Sequence, residues 1–348
     1  LRALGCFRLA RRLTRDGLRI LAYHGFSLRD EHLFRGALFM REYTFHARLA
    51  LLARQGYPVV SLDRAIEGLK TGDLPLNPVV ITVDDGWHSF GAVAAPALQA
   101  HRFPATVYVT TYYAEKRTSV FNVVVQYLFW RTSLEVVDLA DLGLGLRGRI
   151  RSSATAERQR AIATVIERGD ALEDAAARED LARRLAGVLG IEYAAIERLR
   201  MFRLLDMPEL QDLTAQGIDI QLHTHRHRLP PDDREQVARE IGDNRRALSP
   251  VAKHALDDLC YPSGEYDRRL FPWLREAGIR SATTCDSGFN YPATEPLAFS
   301  RFLDGENISM IEFEAELAGV LELARRWRKL AAGALRRLPI PPLGRPAA

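Results

Sequence analysis

The chain has 348 residues, 47% hydrophobic and 26% charged, which is ordinary for a water-soluble globular protein and enough to bury one large core or two modest ones. Its net charge of +4 is uneven: residues 1–20 hold six Arg and one Asp, residues 323–348 hold seven Lys/Arg and no acid, and the body between them keeps 35 basic against 43 acidic residues. An acidic body without aromatic–basic platforms argues against nucleic-acid binding, three scattered cysteines against a disulfide framework, and the lack of a long apolar run against a membrane-spanning helix.

The basic ends, 1–17 and 323–348, suit peripheral contact with an anionic membrane surface. Arg8, Arg11, Arg12 and Arg15 interrupt any apolar signal-peptide core, so a cytoplasmic protein is expected, its basic ends either solvated helices with Arg on the wet face, the favoured reading for each end alone, or a peripheral contact at the inner membrane surface. Leu18–Tyr23 is the first strand expected, and it delivers His24 and Gly25 at its end. A helix is expected over 45–55, stopped at Gly56, then a short strand over 57–62 and a helix over 63–69. Val79–Val83 is β-branched and apolar apart from Thr82, and reads as a buried strand. It runs into Asp84, Asp85 and Gly86, two carboxylates at a strand end with a residue able to turn the chain sharply. Alone, this is either a solvated acidic turn or half of a site.

A helix over 90–100 and a strand over 104–110 continue the alternation that makes right-handed βαβ units and a parallel sheet. Residues 113–200 break it. They are rich in Ala, Arg, Glu and Leu at helical spacing and read as a helical insertion on a βα loop. Within them, the aromatic stretch 121–130 either packs the insertion down or lines a groove, and packing is the favoured reading. The alternation resumes with a helix over 206–217, a strand over 218–222, a charged helix over 232–248, and a strand at 259–260 that turns at Tyr261-Pro262-Ser263-Gly264. A helix over 272–278, strands at 279–284 and 297–302, and one long helix over 312–335 complete the order, before a proline-rich end expected to be disordered.

The strand over 218–222 leads into His223-Thr-His-Arg-His227. The i, i+4 spacing places two imidazoles on one side of a turn or nascent helix. With a carboxylate they make a two-histidine, one-aspartate set suited to zinc with open positions for water and substrate. In parallel α/β folds sites gather at the C-terminal ends of strands, and both clusters stand at such ends.

These two stretches carry a resemblance. Thr82-Val83-Asp84-Asp85-Gly86 and His223-Thr224-His225-Arg226-His227 resemble the TFDDG and H-[ST]-x-x-H motifs of the polysaccharide deacetylase family, the NodB-homology domain of carbohydrate esterase family 4. The opening Leu21-Ala-Tyr-His24-Gly and the run 45–62 resemble its YH branch, which includes exopolysaccharide-modifying members. The resemblance covers roughly 20–112 and 201–305. It implies an α/β fold, a distorted (β/α)7-type barrel with a helical insertion, as a catalytic domain over 18–322 interrupted at 113–200. It implies Asp84 as catalytic base, Asp85, His223 and His227 as ligands of zinc or another divalent transition metal, and a glycan substrate. His225 falls on a variable position of the motif.

Two departures stand out. The family's third motif often has Arg two residues before a proline, where this chain has Cys260 before Tyr261-Pro262. The late Leu-x-His that supplies the general acid is missing, since the last histidine is His254. His24 is the candidate to fill that role or to bind substrate. Tyr261 and Pro262 are candidate substrate contacts, and Arg301 is a candidate to bind substrate or orient the base. The expected activity is metal-dependent N-deacetylation of an acetamido sugar in a polysaccharide, oligosaccharide or lipid-linked precursor. The alternatives are O-deacetylation by the same parts, or a glycan-binding homologue that kept the metal site without catalysis.

Overall fold

The computed structural model describes residues 5–144, 149–172 and 174–335. The proline-rich end and the last basic residues of the chain lie outside them. Seven strands form one parallel sheet: β1 (Arg19–Tyr23), β2 (Val79–Val83), β3 (Thr106–Val109), β4 (Asp219–Leu222), β5 (Asp258–Cys260), β6 (Ser281–Thr283) and β7 (Phe302–Leu303). Their order is β6-β5-β4-β3-β2-β1-β7, and every pairing is parallel. The sheet curls toward closure through one residue: Phe299 bridges Thr283 of β6, three residues before the chain enters β7 beside β1. This is the distorted barrel expected.

All residues of β1 and β2 are buried, as parallel strands covered on both faces must be. Alternation sends Leu21, Tyr23, Ile81, Val83, Val107 and Val109 into the large core under the flanking helices. Ile20, Val80, Tyr108, Cys260 and Phe299 meet on the opposite face, where Leu62, Ile66 and Leu69 of the helix Leu62–Thr71 close the cluster.

The insertion builds a second core of its own. Phe121–Arg131 is its central helix, with Phe121, Val124, Val125, Leu128 and Phe129 buried against helices Thr155–Asp170 and Ala175–Val188. This core reaches the body through Phe39 and Trp87, whose rings lie 5.3 Å apart.

Several elements differ from expectation. Residues 57–62 form no strand; Val59 makes a single bridge to Val79 and the chain passes on into the next helix. The insertion is not wholly helical, because Val136–Asp138 pairs antiparallel with Arg149–Arg151, a segment too short and too charged to read as a strand. The last strand is only Phe302–Leu303, preceded by a 3-10 turn at Pro296–Ala298. The long terminal helix is two, Met310–Leu317 and Val320–Leu335, parted at Gly319 with φ +82°. A Cβ there would come within 2.2 Å of Thr14 Oγ1, so glycine permits both the break and the close approach.

The residues after β7 are pinned to the body by a buried ion pair. Arg48 of the helix Glu42–Arg54 donates Nε and Nη2 to the two oxygens of Asp304, at 3.0 and 3.2 Å. Both side chains are essentially without solvent contact. Asp304→Ala strands a buried guanidinium and should lower the unfolding free energy by about 3–5 kcal/mol. A urea titration checks this, and a loss below about 1 kcal/mol, the value of an exposed pair, would show that the pair contributes little.

Candidate active site

β2 ends against its neighbour, with the Asp84 N–H donating to Tyr23 O at 2.9 Å. The chain then turns through two left-handed residues, Asp85 (φ 69°) and Gly86 (φ 80°). The Thr110 N–H donates to Asp85 O and the Leu205 N–H to Gly86 O, so β3 and the end of the insertion grip the turn from either side. It sends Asp84 inward and Asp85 toward the mouth of the barrel.

After β4, Thr224 (φ 63°) and His227 (φ 55°) also take left-handed backbone, so the two histidines sit on a coiled loop and not on a nascent helix. Glu240, itself buried, accepts from the Arg226 N–H at 2.7 Å and from Arg228 Nε at 3.2 Å, which fixes that loop. The His223 N–H donates to Asn244 Oδ1 at 2.9 Å. His225 turns away to Thr111 Oγ1, in keeping with its variable position in the motif.

The two turns bring three groups together. His223 Nε2 and His227 Nε2 lie 3.2 and 3.4 Å from Asp85 Oδ1. Donors about 2.0–2.1 Å from a tetrahedral zinc are separated by about 3.3 Å. Residue types, spacing and chemistry therefore fit a divalent transition metal. Two neighbours orient the set: Cys260 O lies 2.8 Å from His223 Nδ1, which leaves Nε2 free to face Asp85, and Trp87 Nε1 donates to Asp85 Oδ2 at 2.8 Å. Burial opposes the charge on Asp85, but hydrogen bonds from the two histidines hold its pKa well below the ordinary carboxylate range. Burial likewise works against a charged His223, and Asp85 outweighs it and raises the imidazole.

Asp84 is gripped from behind. Arg301 Nη1 and Nη2 reach its two oxygens at 2.7 and 2.8 Å, and Arg301 Nε donates to Thr284 O at 2.9 Å. Burial would raise the Asp84 pKa; the Arg301 charge and hydrogen bonds, then His24 and His223, bring it below the usual value. The small Cys260 side chain makes room for this arrangement, with its Sγ 3.2 Å from Arg301 Nη2. A guanidinium from another part of the chain thus reaches the spot beside Cys260, where the motif comparison leads one to look for arginine. His24 Nε2 lies 3.7 Å from Asp84 Oδ2.

These groups open into a cleft of about 840 Å³. Its barrel side includes His24, Asp84, Asp85, His227, Tyr261 and Ser263, and its far wall comes from the insertion through Val120, Asn122, Val123, Ile166, Asp170 and Arg178. The helix at 121–131 therefore does both jobs considered for it, packing with one face and lining a groove with the other.

Two of the candidate residues, Arg301 and Pro262, stand off the cleft, and for Arg301 the geometry favours the second of its two expected roles. Arg301 has no solvent exposure and spends its guanidinium on Asp84, so it orients that carboxylate and does not face the cleft. Pro262 is buried and does not line the cleft. Tyr261 borders the cleft, but its side chain is fully buried and its hydroxyl donates to Leu297 O at 2.9 Å. Sequence reasoning missed Trp87, which its place two residues after Asp85 could have flagged. It also missed Asn244 and Glu240, which look like any polar residues of a charged helix.

Replacing Arg301 by Lys removes one of two contacts and spreads less charge over Asp84, whose pKa should rise. The acid limb of the pH–activity profile should then move to higher pH, with activity lost first on the acid side. An unmoved acid limb would show that Arg301 does not set the ionisation of Asp84.

The comparisons agree with this geometry. The family model described as polysaccharide deacetylase matches residues 191–282. No curated protein sequence matches the chain. Among solved structures, the Streptococcus pyogenes deacetylase PplD in complex with acetate is similar at 17% identity over 87% of this chain and 99% of that one, TM-score 0.58. IcaB from Ammonifex degensii is similar at 16% identity over 87% and 97%, TM-score 0.55. A de-N-acetylase from Aggregatibacter actinomycetemcomitans is similar at 12% identity over 86% and 99%, TM-score 0.52. At such identities the structures speak for the shared fold, while the family model covers the stretch that carries His223, His227 and the turn at Tyr261. Residues 191–282 thus match the polysaccharide deacetylase family, and the chain as a whole shares its fold with solved structures of proteins named as deacetylases.

Proposed function

We propose that the protein is a metal-dependent carbohydrate N-deacetylase, which hydrolyses the acetamide of an N-acetylated sugar in a polysaccharide, oligosaccharide or lipid-linked precursor and releases acetate. The observation that carries this reading is the meeting of Asp85, His223 and His227 beside an Arg-clamped Asp84 in an open cleft. Two relatives support it by their names, one a deacetylase seen with acetate and one a de-N-acetylase.

Asp85, His223 and His227 would hold the metal. When bound, zinc or a similar ion polarises a carbonyl and makes water a stronger acid near neutral pH. The other roles fall to the chain itself. Asp84, kept ionised by Arg301, accepts the proton of the attacking water. Each of its oxygens still has a lone pair after the guanidinium is served. The Ser263 N–H is the main-chain donor available to the developing oxyanion at this turn, because the Tyr261 N–H is given to Thr283 O and Pro262 has none. His24, on the cleft wall 3.7 Å from Asp84 Oδ2, donates a proton to the departing amine. The insertion wall selects the glycan, with Asn122, Asp170 and Arg178 among its polar groups.

Elemental analysis beside an acetate-release assay tests this. The wild type should carry about one equivalent of zinc or a similar metal, and the His223→Ala/His227→Ala protein should lose both metal and activity. Asp84→Asn should keep the metal and lose at least a hundred-fold in kcat. Metal-loaded wild type that releases no acetate from any N-acetylated glycan tried would overturn the reading. In the insertion wall, Arg178→Ala should raise KM several-fold and leave kcat nearly unchanged. The opposite split would move Arg178 from selecting substrate to assisting the chemistry.

A further inference from the structure

Two helices far apart in sequence, Cys6–Leu13 and Val320–Leu335, fold onto each other. The helix Cys6–Leu13 leads into Thr14, whose Oγ1 lies 3.5 Å from Ala318 O and against the backbone of Gly319. The helix Val320–Leu335 leaves from that point and packs beside the first helix. Arg19 Nε ties the junction by donating to Leu317 O at 2.7 Å.

Phe7 and Ala10 point inward and are buried. The outward positions are apolar where water would favour polar groups: Leu9 is 60% exposed, Leu13 59%, Trp327 75% and Leu330 72%. Exposed Arg8, Arg12 and Arg328 accompany them. Among the described residues no carboxylate stands within ion-pair distance of these three. Of the acids nearby, Glu316 and Glu322 are buried and occupied by Arg325 and Arg326, while the exposed Asp16 lies 3.8 Å from its neighbour Arg15. Exposed Trp and Leu interleaved with unpaired Arg are the composition of a helix that lies in a lipid headgroup layer. The body carries 35 basic against 43 acidic residues, so the net positive charge of the chain lies in its terminal segments.

We propose that the paired terminal helices form a docking face for an anionic phospholipid surface. The face lies where β1 begins, at the N-terminal ends of the strands, whereas the cleft opens at their C-terminal ends. Docking therefore leaves the cleft open to water. The proposal does not depend on the reaction assigned to that cleft.

Co-sedimentation with vesicles tests it, using phosphatidylcholine alone and phosphatidylcholine mixed with phosphatidylglycerol. Binding to the anionic vesicles only is expected. It should weaken at least about ten-fold in about 0.5 M salt or in the Arg8→Gln/Arg12→Gln/Arg328→Gln protein, as a surface attraction screened within a few ångströms must. Leu9→Glu/Trp327→Glu should abolish it, with thermal unfolding confirming an intact fold. A blue shift of tryptophan emission on binding should vanish in Trp327→Phe. The idea is overturned if the wild type ignores anionic vesicles, if the Leu9→Glu/Trp327→Glu protein binds as the wild type does, or if the emission shift survives in Trp327→Phe. It is overturned equally by a solution dimer that the same glutamates dissolve in a protein indifferent to lipid.

Discussion

The buried pair between Arg301 and Asp84 is the constraint around which the rest is arranged. A guanidinium and a carboxylate removed from water cost several kcal/mol each unless both are fully hydrogen-bonded. Here both oxygens of Asp84 and three nitrogens of Arg301 have partners. Those partners come from distant stretches: Asp84 ends β2, Thr284 follows β6, and Arg301 lies between Phe299 and β7. The sheet can curl only to the point where these segments meet, so one ion pair helps close the barrel and sets the charge of the central carboxylate. The Arg48–Asp304 pair secures the following residues to an outer helix, which keeps Arg301 from being drawn away from Asp84.

The insertion is tied to the same place. Trp87 bridges Leu204, and the His88 N–H donates to Arg203 O, so the end of the insertion is stitched to the residues that follow Asp85. Glu209 accepts from Arg200 at 2.7 and 2.8 Å and lies 2.9 Å from His88 Nδ1. Although burial resists it, His88 and then Arg200 hold the Glu209 carboxyl down to about 2. A wall attached this firmly to the Asp85 turn shapes the cleft as a fixed surface more than as a lid.

Much of this was legible in the chain. The buried strand into Asp84-Asp85-Gly86 and the strand into the histidine cluster each carry a local signal, since periodicity and punctuation concern neighbours in sequence. What failed to show was of another kind. Among the described residues the β-bridge that closes the barrel is made by Phe299 only, and no pattern of one residue exists to be read. Arg301 looked free to meet substrate because burial is a property of the folded whole. Residues 57–62 carry strand-like side chains, yet a neighbour for them is available at Val79 only. The break at Gly319 interrupts an otherwise good helical pattern, because glycine inside such a pattern is tolerated as often as it ends one. Contacts between distant segments decided each of these cases.

The backbone of the site bears the mark of the same logic. Among the described residues, eight other than glycine adopt positive φ, and four of them, Asp85, Thr224, His227 and Ser263, stand in the site turns. Such conformations cost of order 1 kcal/mol or more each and persist only where surroundings over-determine them. The surroundings are on hand: the Asp85 turn is gripped by Thr110 and Leu205, and the histidine loop by Glu240 and Asn244. A regular strand end would send successive side chains to opposite faces and leave Asp85 and the imidazoles apart. The left-handed residues re-aim them, so that Asp85 Oδ1 sits 3.2 and 3.4 Å from two imidazole nitrogens while Asp84, one residue earlier, stays within the barrel. Adjacent aspartates thereby acquire separate environments, one facing imidazoles and the other a guanidinium. That division lets one short turn supply both a candidate metal ligand and a candidate base.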